Sequence, residues 1–267
     1  MTEWWWVYLA LGAFIGFFAG LLGIGGGFAM VPVLAMVFAA KGYAAEHVLH
    51  IALATGMATI LFTSASSVRS HHQRGAVNWE IVKRMAPGVM IGTFGGALIA
   101  GVLDVKKLSI LFTLLVYYAA TRMLLDRKPK PTSTLPGTVG MWGASTLIGV
   151  LSSFAAIGGA VLTVPFLVKR NVTVHQAIAS AAAVGWPLAF AGTLGFIASG
   201  WEKTGLPEHS IGYVYLPALF WIVLASMALA PVGAAIAHRT PGATLKKIFA
   251  VLLYILATKM LWSLYTA

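Results

Sequence analysis

Long apolar runs separated by short polar punctuation fill this chain. With charges and prolines as boundaries, the pattern predicts helical segments at 4–22, 28–40, 50–68, 86–103 and 108–125, then at 138–155, 160–168, 175–199, 213–237 and 245–265. Most have the roughly 20 residues that a helix rising 1.5 Å per residue needs to cross about 30 Å of hydrocarbon. The segments 28–40 and 160–168 are too short to cross, and are read as half-depth re-entrant helices.

Both short segments follow glycine-bearing stretches that repeat 133 positions apart: GLLGIGGGFAMVPVL at 20–34 and SFAAIGGAVLTVPFL at 153–167. HIALAT at 50–55 is answered by HQAIAS at 175–180, and ATRML at 120–124 by ATKML at 257–261. Three matches in one order mark a duplication, with residues 1–125 as the first transmembrane repeat and 138–267 as the second. DRKPKPTSTLPG at 126–137, rich in proline and charge, is the linker.

The glycine break decides how the repeats are oriented. If it only kinks a spanning helix, the 18 Lys and Arg divide 10 to 8 across the membrane; if it turns the chain back, they divide 13 to 5. The positive-inside rule prefers the second arrangement. The expected fold is therefore an all-α integral membrane protein of two inverted-topology repeats, each a broken, re-entrant helix hairpin plus three transmembrane helices. The linker is cytoplasmic in this arrangement and both termini lie outside.

Composition removes the soluble alternatives. Of 267 residues 59% are hydrophobic and 9% charged, and the mean hydropathy is +0.87, values a polar-coated globule does not reach. A net charge of +11 would suggest nucleic acid in a soluble chain, but these basic residues sit in short loops between spans and read as orientation signals. Cysteine is absent, which excludes disulfides and thiolate metal sites. The opening MTEWWWVYLALGAF lacks a basic region and a small-residue cleavage site, so a retained first helix is expected. No nucleotide loop, zinc-ligand cluster or catalytic carboxylate pair is recognisable; no cofactor, metal or enzymatic activity is expected.

Chemistry is concentrated at the breaks. Unpaired backbone polar groups in hydrocarbon cost several kcal/mol, so an interrupted helix persists only where protein, water or a ligand satisfies it. Gly25, Gly26, Gly27 and Phe28, and in the repeat Gly158, Gly159, Ala160 and Val161, would aim free N–H groups from the positive end of a short helix. Such an end favours an anion. Small-residue helix packing explains Gly12, Gly16 and Gly20 well, and consecutive glycines poorly. Pro32 and Pro165 free carbonyls that could serve a cation or merely mark a first turn. Thr55 and Ser180 offer uncharged hydroxyls suited to an oxyanion that must leave again, and His50 and His175 offer a proton relay or anion partner, or sit in the headgroup region. Arg122 and Lys259 read as snorkelling residues, and the His71 and His72 pair as solvated surface.

GFFAGLLGIGGGFAMVPVL at 16–34, its weaker echo GVLSSFAAIGGAVLTVPFLV at 149–168 and the loop HHQRGAVNWEIVKRMAPGVMIGTFGGAL at 71–98 together resemble the TauE/SafE sulfite exporter family. The resemblance spans nearly the whole chain and implies a multi-pass permease of the bacterial inner membrane for small sulfur-containing anions such as sulfite or organosulfonates. The second half departs in carrying Ala160 opposite Gly27, and Ser153 and Ala156 opposite Gly20 and Gly23, so the two hairpins need not contribute equally. Expected partners are a small anionic substrate and the lipid bilayer, with a second copy of the chain as a candidate homodimer partner, and no nucleic acid. The rival readings are a membrane scaffold or assembly subunit with no substrate, and a cation carrier.

Overall fold

The structure, a computed structural model, describes residues 4–22, 27–125, 132–237 and 242–266. Among these the chain forms ten helices and one two-stranded hairpin. The first five helices are α1 (Trp5–Leu22), α2 (Gly27–Ala40), α3 (Ala45–Gln73), α4 (Trp79–Val102) and α5 (Val105–Leu125). The second five are α6 (Thr138–Ser153), α7 (Ala160–Val168), α8 (Val174–Gly200), α9 (Leu216–Ala237) and α10 (Gly242–Thr266), with β1 (Ser210–Ile211) and β2 (Val214–Tyr215) between α8 and α9.

Helix ends follow local chemistry. The Asn78 side chain accepts hydrogen bonds from the N–H groups of Glu80 (3.1 Å) and Ile81 (3.3 Å), starting α4 well before Pro87. Thr173 caps α8 by accepting from the Gln176 N–H. The proline-bounded segment predicted at 86–103 is therefore a longer helix with Pro87 inside it. Likewise α3 continues past the predicted 50–68 to Gln73, carrying its basic end beyond the apolar stretch. Charges mark where a helix leaves hydrocarbon, and the backbone continues until a cap stops it.

Among the described residues, four helices, α3, α4, α5 and α8, are long and apolar enough to cross a bilayer. At about 1.5 Å per residue, α2 is about 21 Å long and α7 about 13 Å, both short of the roughly 30 Å required. Lipid-facing stripes complete the picture: Ile91, Phe94, Ile99 and Val102 on α4, and Ile110, Leu114 and Tyr118 on α5, are exposed at helical spacing. Trp5, Trp79, Trp142, Trp201 and Trp262, exposed near helix ends, are placed as an interfacial aromatic belt.

Inside that shell α3 and α8 cross at the centre. Cβ atoms added at Gly192 of α8 would meet Met57 of α3 at 2.8 Å, while one at Gly185 lies 3.8 Å from Ser64, so the two helices run antiparallel. The same holds for α5 and α10, where Tyr117 reaches Thr258 and Thr121 reaches Tyr254. α1 packs along α9 in parallel, with Gly12 against the backbone of Ile222 and Gly16 against Ser226; α4 packs along α6 in parallel, with Gly88, Gly92 and Gly96 stepping past Trp142, Thr146 and Val150. α2 lies on α3, and α7 on α8.

Two clusters of loops mark the two ends. At one, Lys41 Nζ reaches the Tyr8 and Tyr215 hydroxyls (3.3 Å each), His47 pairs with the Thr204 carbonyl, and the Tyr213 hydroxyl donates to the Gly101 carbonyl. At the other, Thr132 and Ser133 donate N–H groups to the Lys169 carbonyl, and Asn78 donates its N–H to Ser180. The loops around 41, 104 and 203 thus share one end, and those around 75, 132 and 170 the other.

Candidate functional site

The starts of the two short helices lie halfway along the two central helices. Gly27, the first residue of α2, lies against Ile60, sixteen residues into the 29-residue α3; the turn before α7 lies against Gly185 and Leu188, midway along α8. The start of α2 also meets the turn before α7. A Cβ at Gly27 would collide with the Ala156 carbonyl oxygen, and one at Gly158 would sit 3.5 Å from Ile60, on the other repeat's central helix. Gly23, Gly25 and Gly26 lie outside the described residues.

The turn at 154–159 is built from unusual backbone. Ala156 has φ 47° and Gly159 φ 77°, both left-handed, so the chain reverses tightly before α7. The Ser152 carbonyl accepts from Ile157 N–H (3.1 Å), and the Gly159 carbonyl accepts from both Leu162 (3.2 Å) and Thr163 (2.8 Å). Among the described residues the N–H groups of Gly158, Gly159, Ala160 and Val161 reach no acceptor. They point from the positive end of α7, at half the height of the bundle, where no lipid group could satisfy them. Phe28, Ala155, Ala156, Ile157, Gly159 and Ala160 are buried, and Gly158 is half-buried. Two surface recesses, one lined by Ala198, Trp201 and Lys203 and the other by Tyr254, Thr258 and Trp262, lie at helix ends away from this turn.

The other candidate side chains are drawn elsewhere. Thr55 and Ser180 are fully buried and occupy matching places: the Thr55 hydroxyl accepts the Tyr215 N–H, just before α9, and the Ser180 hydroxyl accepts the Asn78 N–H, just before α4 (3.1 Å each). Each holds the entry of a helix from the other half of the chain. Both are five residues from the level of the breaks, about 7–8 Å along the axis. His50 is farther out, about 15 Å below Ile60 by helix rise; its Nε2 pairs with the Leu103 carbonyl (3.0 Å) and its ring stacks on Tyr213 at 5.1 Å. His175 is exposed at the second position of α8. The two histidines therefore sit at opposite ends of the bundle and neither approaches the breaks. Of the candidates within the described residues, the structure brings together Gly27, Phe28, Gly158, Gly159 and Ala160.

Sequence reasoning missed several residues at this place. Ile60, Gly185 and Leu188 form its walls, and Thr163 lies buried one turn into α7 with its hydroxyl 3.7 Å from where a Gly159 Cβ would stand. Thr163 was visible as the lone polar residue in AVLTVPFLV; only the fold says that it faces the break. Around Lys41 the structure adds an aromatic box: the rings of Tyr8, Tyr43 and Tyr215 lie 5.0–5.6 Å from its ammonium. Burial, with help from the Tyr215 hydroxyl, pushes the Tyr43 phenol well above its ordinary value, so it stays neutral beside the lysine. Among the described residues no cluster of three or more His, Asp and Glu is placed to hold a metal.

Long apolar helices with lipid-facing stripes around a buried, interrupted centre define a multi-pass α-helical membrane protein. Within that class, residues 8–260 match the family described as Sulfite exporter TauE/SafE, and the chain belongs to that family. It is similar to a protein of Haemophilus influenzae described as a probable membrane transporter protein, 38% identical over 257 residues that cover 94% of this chain and 96% of the relative. It is also similar to the probable membrane transporter protein YdhB of Bacillus subtilis, 25% identical over 87% of this chain and 90% of the relative. The probable membrane transporter protein MJ0441 of Methanocaldococcus jannaschii is 24% identical over 78% of this chain and 77% of its own length. No solved structure is a significant match.

Proposed function

We propose that this protein is a transporter of small sulfur-containing anions, sulfite or organosulfonates, working as an exporter in the bacterial inner membrane by alternating access between two inverted-topology repeats. The observation that carries the reading is the meeting of two helix breaks halfway along antiparallel central helices. Equivalent helices of the two halves, α3 with α8 and α5 with α10, run in opposite directions, as an axis lying in the membrane plane requires. The gathering of loops supports the same orientation: residue 170 sits with the linker and residue 203 with residue 41, the arrangement that divides Lys and Arg 13 to 5.

An anion suits the chemistry. The open groups are N–H donors, and among the described residues the carboxylates Glu46, Glu80, Asp104, Glu202 and Glu208 all sit at helix starts or in loops, far from the breaks. A cation carrier needs a buried counter-charge that this centre lacks among the described residues. Uncharged donors hold an oxyanion while leaving it free to depart, since a buried ion pair is costly to break. A negative potential inside drives an anion outward at about 2.3 kcal/mol per charge per 100 mV, so export needs no carboxylate proton path. The closed packing of the breaks corresponds to a conformation between the two open ones, and each repeat must shift against the other to admit solvent.

The test is flux in proteoliposomes holding purified protein. Labelled sulfite and sulfoacetate are expected to cross saturably and to compete with each other. A substrate-free scaffold gives no flux above empty vesicles, and that outcome overturns the reading.

A further inference from the structure

Hydroxyls within apolar helices normally donate to their own helix, and here they do so with great regularity. Thr59, Thr93, Thr113, Thr193 and Thr258 each donate to the carbonyl four residues back. Ser64, Ser109, Ser145, Ser153 and Ser226 each donate to the carbonyl three back. Thr55 and Ser180 accept N–H groups from the other half of the chain instead, whereas Ser152 and Thr163 are fully buried and among the described residues neither finds a partner. They flank the same feature, Ser152 at the last turn of α6 and Thr163 at the first turn of α7, on either side of the strained turn.

Thr163 is orphaned for a specific reason. Its usual acceptor, the Gly159 carbonyl, is already taken by the N–H groups of Leu162 and of Thr163 itself. Its hydroxyl is instead turned to the Gly159 face of the turn, which lacks a side chain. A buried hydroxyl without a partner is destabilising, and two beside unpaired N–H groups form a site lined by donors. The first repeat has no counterpart: the 133-residue offset places Ala19 opposite Ser152 and Met30 opposite Thr163.

We infer that the anion is seated asymmetrically, on the second hairpin, where the Ser152 and Thr163 hydroxyls and the N–H groups at the start of α7 donate to the oxygens of one sulfite or sulfonate group, while the first hairpin, through Gly27 and Phe28, closes over it as an apolar wall. This rests on the transport reading and deepens it. A group with several acceptor oxygens and delocalised charge matches a donor-only seat without a cation, and a cation does not.

The experiment is a thermal-shift titration with sulfite, run on detergent-purified full-length protein, alongside sulfite flux in vesicles. Thr163→Val keeps the shape and removes the donor; it should weaken the sulfite midpoint roughly tenfold or more, the usual loss for a hydrogen bond to a charged group. Without anion, Thr163→Val should melt at or above the wild-type temperature, because it removes an unsatisfied polar atom. Thr163→Ser restores the hydroxyl and should recover most of the affinity; Ser152→Ala should weaken binding in the same direction as Thr163→Val. Thr113→Val, on α5 and bonded to its own helix, should leave the midpoint unchanged. An active wild type with an unchanged midpoint in Thr163→Val overturns the hydroxyl seat and leaves transport standing. A wild type that neither binds nor moves sulfite overturns both.

Discussion

At the residue scale the centre depends on two small positions, Gly27 and Ala156, that each tolerate little. Gly27 faces the Ala156 carbonyl, and Gly27→Leu must separate the two breaks, at an expected cost of about 1–3 kcal/mol in stability and the loss of flux. Ala156 holds φ 47°, a conformation a β-branched residue resists, so Ala156→Val should destabilise by about 2 kcal/mol or more, and Ala156→Gly should be tolerated within about 1 kcal/mol, measured by thermal unfolding. Thr55 and Ser180 make a contrasting prediction. Each accepts the N–H at the start of a helix in the other half of the chain, so Thr55→Val and Ser180→Ala should each cost about 1–2 kcal/mol of stability without shifting the sulfite midpoint. These two were recognisable in the sequence as a matched pair, because HIALAT and HQAIAS align; their role was not, because it rests on contacts over 100 positions away.

At the element scale, length was the legible quantity. Segments too short to cross hydrocarbon and opened by glycines were identifiable as half-depth helices before any coordinates, and α2 and α7 have the expected bounds within a residue. Helix ends in polar loops were read too short, since Pro87 sits inside α4 and the basic end of α3 stays helical. The β1–β2 hairpin was not foreseen: its strands are two residues each, below any readable alternation, and the Tyr213 hydroxyl anchors it to the Gly101 carbonyl. The burial that pushes the Tyr213 phenol upward keeps it a donor through neutral pH, so this anchor should hold to high pH. Tyr213→Phe leaves the Gly101 carbonyl without that donor and is expected to cost about 1 kcal/mol with flux reduced rather than abolished, read by thermal unfolding and vesicle assays.

At the scale of the whole molecule, the proposed inverted repeats would make each break the other's roof. The charge division alone favoured that orientation, and the pairing of antiparallel counterparts supports it; which hairpin seats the anion was beyond a pattern in which both look alike. The absence of cysteine makes orientation directly testable. Ser133→Cys should resist a membrane-impermeant thiol reagent in intact cells, whereas Lys203→Cys, at the opposite end, should label readily. The central claim, that an oxyanion rests where the breaks meet, is tested most directly by alkylating Gly158→Cys, a half-buried position whose added side chain meets only ordinary contact with Ile60. Sulfoacetate, which unlike sulfite does not consume the reagent, should slow that alkylation in a saturable way, at the concentrations that saturate flux. An alkylation rate unmoved by sulfoacetate, in protein that still transports it, would place the anion elsewhere and contradict the account.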